Sequence, residues 1–65
     1  MLQEHKDRLE WIVDAASVGE VLMALVEICN LKAEHVQEHW HDSNMAAGWR
    51  ADARTIENII NKVEN

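Results

Sequence analysis

Ser17-Val18-Gly19-Glu20-Val21-Leu22-Met23-Ala24-Leu25-Val26-Glu27-Ile28-Cys29 is the stretch on which the fold turns. A serine followed three residues later by glutamate, ahead of an apolar run, is a capping box. The serine oxygen accepts from the N3 amide, and the glutamate carboxylate reaches back to the serine N–H. A helix therefore begins near Val18. Val18, Val21, Leu22, Leu25, Ile28, Cys29, Val36 and Trp40 recur along one side of it, and no breaker follows before Asp42-Ser43-Asn44. At 1.5 Å per residue, a helix from Val18 to His41 is roughly 36 Å long. A compact domain of this length has a radius of gyration of about 11 Å, so such a helix overhangs its own domain and calls for a second subunit.

Two further helices flank this one. Upstream, Leu2, His5, Leu9, Ile12, Val13 and Ala16 recur at three- and four-residue steps, the spacing of a single buried stripe. Downstream, the short polar side chains of Asp42, Ser43 and Asn44 suit a turn and a new N-cap. Met45, Trp49, Ala53, Ile56, Ile60 and Val63 then share a face, with Ile59 beside it, in a helix running nearly to Asn65. The short turn makes the second and third helices antiparallel neighbours and sets Glu34 and Glu38 opposite Arg50 and Arg54. Gly48 inside the third helix costs about 1 kcal/mol relative to alanine, which suggests close approach of a neighbouring helix or a frayed first turn. The expected fold is all-α, a single domain over residues 1–65. It comprises three helices: an antiparallel hairpin of two longer helices plus an N-terminal helix that docks across it or extends from it. A helical bundle is expected on assembly as a homodimer or higher oligomer.

Composition narrows the function. A chain of 65 residues buries only about 60% of the surface its unfolded form exposes, so it needs a disulfide, a metal or a partner for ample stability. Cys29 is the only cysteine, which excludes an intrachain disulfide; its apolar neighbours suggest a small buried hydrophobe in a reducing compartment. Twelve acids against six Lys and Arg give a net charge of -6. That argues against direct nucleic-acid binding, which requires a positive surface, and suits a protein partner with a basic surface. With all four histidines protonated the charge becomes -6 + 4 = -2, so the surface changes character between pH 7 and pH 5. No apolar run reaches the ~20 residues of a membrane span, and Met1-Leu2-Gln3-Glu4-His5-Lys6 lacks the pattern of a signal peptide. A cytoplasmic location is the expectation.

The run Lys32-Ala33-Glu34-His35-Val36-Gln37-Glu38-His39-Trp40-His41-Asp42 holds three of the four histidines. Within it, His35-Val36-Gln37-Glu38-His39 matches H-x-x-E-H, in which two histidines one turn apart ligate zinc and the glutamate acts as base. A catalytic site also needs a third ligand and a cleft, and this short chain has little material for either. We therefore expect no catalytic residues, no cofactor and no enzyme, and retain His35 and His39 as candidate metal ligands, with His41 a third ligand only if it bends in from the helix end. Lys32 falls on the apolar side near Ile28, Cys29 and Val36, where snorkelling towards Glu34 or Asp52 is expected. Trp11, Trp40 and Trp49 are candidates for interaction, because tryptophan anchors interfaces as well as filling cores. Trp40 and Trp49 are placed to stack near the turn, and Trp11 lies on a second apolar face. With Lys32 and His35 they form the candidate interaction set.

Val21 through Cys29, followed by Lys32-Ala33-Glu34-His35, then Trp40, Asp42, Ala47 and Trp49, resembles a group of short uncharacterised helical proteins of bacteria and bacteriophages. The resemblance spans roughly residues 18–60. It singles out Cys29, Lys32, His35, Trp40 and Trp49 and implies a prokaryotic or viral origin without an activity. The reading that follows is a non-enzymatic protein-binding module, an adaptor or inhibitor of a larger protein. The alternatives are a helical oligomer with an intersubunit His site, and a nucleic-acid mimic whose acids, such as Asp7, Glu10, Asp14, Glu20 and Glu27, imitate phosphates.

Overall fold

A computed structural model describes residues 1–63 of the chain. It contains α1 (Gln3–Ala15), α2 (Val18–His35), a π-helical turn (Val36–Trp40) that continues α2, and α3 (Ser43–Val63). The all-α architecture expected from periodicity is present, with α2 and α3 forming the packed hairpin.

Local chemistry explains the boundaries. Ser17 is extended, and its Oγ accepts from the Glu20 N–H at 3.0 Å, so the serine half of the capping box opens α2. At the other end the helix does not run unbroken to His41. The Val36 N–H is shared between the carbonyls of Lys32 and Ala33, and the chain then widens into five-residue π bonding. His41 closes the turn in the left-handed region, at φ 51° and ψ 34°, where its N–H and, at 3.4 Å, that of Asp42 both donate to the Val36 carbonyl. Asp42 then caps α3: its Oδ1 accepts from the Met45 N–H at 2.9 Å and its carbonyl from the Ala46 N–H at 3.0 Å. The Gln37 amide reaches Ser43 Oγ at 3.5 Å across the turn.

The core between α2 and α3 is small. Its buried side chains are Cys29, Ala33 and Val36 on the α2 side and Ala46 and Ala53 on α3, with nothing larger than valine. Leu22 and Val26 are half-buried on the same stripe of α2, as are Trp49, Ile56 and Ile60 on α3. Alanines at the contact favour the near end of the usual 8–10 Å interaxial range. The expected stripe is thus rotated on α2: Ala33 replaces Leu25 and Ile28, which face solvent, and on α3 Ala46 is buried where Met45 is exposed. Glu34, Glu38, Arg50 and Arg54 are all exposed and form no ion pair with one another.

The first helix departs most from expectation. Its stripe of Leu2, His5, Leu9, Ile12 and Ala16 stays exposed and only Val13 is partly covered. It therefore extends from the hairpin, and the molecule measures 37 × 29 × 15 Å with a radius of gyration of 13.5 Å. A methyl group at Gly48 would meet no heavy atom of a neighbouring element within 4 Å, so close helix approach does not explain this glycine within one chain. We predict that Gly48→Ala stabilises by up to about 1 kcal/mol, whereas Asp42→Ala destabilises by about 1 kcal/mol through loss of the α3 cap, both read by urea titration at fixed protein concentration.

Candidate interaction surface

The histidine run lies on the outer side of α2, where the π turn begins. The His35 and His39 rings approach with centroids 4.5 Å apart, tilted by 39°. They border a shallow, open depression together with Ile28, Leu31, Lys32, Glu34 and Glu38. Lys32 is exposed there rather than snorkelling over the core. His35 and His39 meet as their spacing predicts, but among the described residues no three His, Cys, Asp or Glu side chains are grouped to hold a metal ion. A tetrahedral ion at the histidine pair requires donors from another molecule.

The π turn also decides the fate of Trp40. In an unbroken α-helix, residue 40 follows Val36 and Ala33 on the stripe facing α3. The wider turn swings it off that stripe, and Trp40 is 71% exposed. It does not stack on Trp49. Trp40 lines one hollow with Val36, Asp42 and Met45, while Trp49 lines another with Met45, Gly48 and Asp52, so exposed Met45 is shared by the two. Trp49 is half-buried, in keeping with a core role, and Trp11 is 71% exposed on α1. Cys29 is buried as a small hydrophobe.

Two apolar seams run along α2. Leu22, Val26, Cys29, Ala33 and Val36, at alternating steps of four and three, pack towards α3. Val18, Val21, Leu25 and Ile28, at steps of three and four, form a second seam about a quarter-turn away at 100° per residue, and most of its surface is open. Periodicity alone merges the two, because Ala33 carries too little apolar surface to mark which seam is buried. The chain matches no family model, no curated protein and no solved structure.

With its ring in solvent, Trp40 contributes little to the fold. Trp40→Ala should shift stability by no more than about 0.5 kcal/mol, as surface substitutions do, while Ala33→Leu, which overfills the α2–α3 contact, should cost about 1–3 kcal/mol. Paired denaturation curves on the two variants decide between a Trp40 at the surface and one in the core.

Proposed function

We propose that this protein is a small acidic, non-enzymatic protein-binding module, acting in the cytoplasm of a bacterium or an infected bacterial cell as an adaptor or inhibitor of a larger protein. The observation that carries the reading is the exposure of Trp11 and Trp40, each 71% open, on separate elements of one short chain. Burying a tryptophan removes about 150–250 Å² of surface from water, so leaving two outside forgoes several kcal/mol, on the order of 3 each, that a partner can recover. The net charge of -6 favours a partner with a basic rim around an apolar pocket and speeds its encounter. No helix among the described residues is long and apolar enough to cross a membrane.

Immobilised protein exposed to bacterial lysate is expected to retain a partner saturably, with binding weakened by added salt, which screens the charge attraction, and reduced at least about tenfold by Trp11→Ala/Trp40→Ala, the scale of losing hot-spot residues. Failure to retain any saturable partner, including among basic proteins offered separately, overturns the reading.

The 4.5 Å approach of His35 and His39 favours a second reading, a metal-binding helical oligomer in which the pair from each of two chains completes a four-nitrogen site. Zinc at about 100 times its Kd should then stabilise the protein by about 2.7 kcal/mol, reversed by EDTA and absent in His35→Ala/His39→Ala; a melting temperature indifferent to zinc rejects it.

A further inference from the structure

One side of the α2–α3 hairpin is built as half of a larger core. On α2 the open seam is represented by Leu25 and Ile28, 37% and 47% exposed; on α3 its counterpart includes Ile59, 42% exposed, and Val63. At 100° per residue, each open seam lies on the same rotational side of its helix's contact with the other, viewed along its own chain direction. Because the helices are antiparallel, both seams emerge on one face of the hairpin. Two helices carrying seams roughly a quarter-turn apart are the repeating half of a four-helix bundle, in which each helix touches two neighbours.

We propose that this face is covered by a second copy of the chain, hairpin against hairpin. Area supports it. The accessible surface is 5384 Å², whereas a folded monomer of 7.5 kDa exposes about 4,250 Å² by the usual scaling with mass. The surplus of about 1,100 Å² exceeds the ~800 Å² that each partner contributes to a standard interface, although projecting α1 supplies part of it.

Charge selects a second copy over other occupants. The molecule carries -6 overall, which sets copies against one another. Along the two open seams, however, the side chains are apolar apart from the pair His35 and His39 and one charge of each sign, Lys32 on α2 and Asp52 on α3. A balanced pair of opposite charges on an apolar ground is self-complementary under a two-fold axis, as an isologous interface requires. A basic partner gains nothing from this face and is better matched by the acidic remainder.

Light scattering coupled to size exclusion, run in EDTA over roughly a fortyfold range of micromolar concentrations, tests the inference without relying on a heterologous partner. The expected result is twice the chain mass of 7.5 kDa at the upper concentrations, with a melting temperature that rises with protein concentration by mass action. Ile28→Glu and Ile59→Glu, one on each helix of the face, should each raise the dimer dissociation constant at least about tenfold, while Met23→Glu, exposed on the opposite side of α2, should leave it within about twofold. Wild-type protein that stays monomeric throughout with a concentration-independent melting temperature overturns the proposal. So does a dimer that both face variants preserve. If one face variant is unfolded, the other variant, read beside the wild-type concentration dependence, still decides.

Discussion

The side chains buried at the α2–α3 contact are no larger than valine, with Leu22, Trp49, Ile56 and Ile60 only half-covered beside them, and this limit governs the rest of the molecule. Alanines at positions 33, 46 and 53 let two helices lie close together but remove little apolar surface from water. Leu25 and Ile28 on α2 and Ile59 and Val63 on α3 are left on the flank of the contact. A hairpin of this kind has a well-defined line of closest approach and a poor core, an arrangement that suits a molecule whose further surfaces are to be covered from outside. The long Leu, Ile and Met side chains at the flanks have the reach to build a second layer, and the small ones beneath them set its spacing.

How much of this was legible in the sequence depended on which signals were local. Ser17 with Glu20 and Asp42 with Met45 involve groups three residues apart, so the start of α2 and of α3 followed from hydrogen-bonding chemistry alone. The all-α class followed from period and from the lack of proline. The identity of the buried stripe did not, because Leu25 and Ile28 outweigh Ala33 on any hydrophobicity count while the close helix approach selects the alanine. The exposure of α1 was equally hidden: Leu9, Ile12 and Val13 have the spacing of a buried stripe, and spacing says nothing about whether a partner surface exists within the same chain.

At the candidate site, the meeting of His35 and His39 was legible as neighbours one turn apart. The placement of Trp40 was not, since no residue between Val36 and Trp40 is a helix breaker and the π turn leaves no compositional mark. The widening accompanies the end of the turn, where the Val36 carbonyl receives the last two amides and His41 is in the left-handed region. That conformation costs a non-glycine residue roughly 1–2 kcal/mol, and the cap supplied by Asp42 immediately afterwards offsets much of it.

Ala16 and Ser17 form the junction between α1 and the hairpin. The Ser17 oxygen satisfies an amide of α2, and no residue of α1 is fully buried against the hairpin, so unwinding α1 leaves both the α2 cap and the alanine contact in place. Unwinding α1 therefore disrupts less buried surface than opening the hairpin, the condition under which an element opens separately from the rest. Its order is free to respond to whatever it meets, and the same thirteen residues can exchange between coil in isolation and helix when covered.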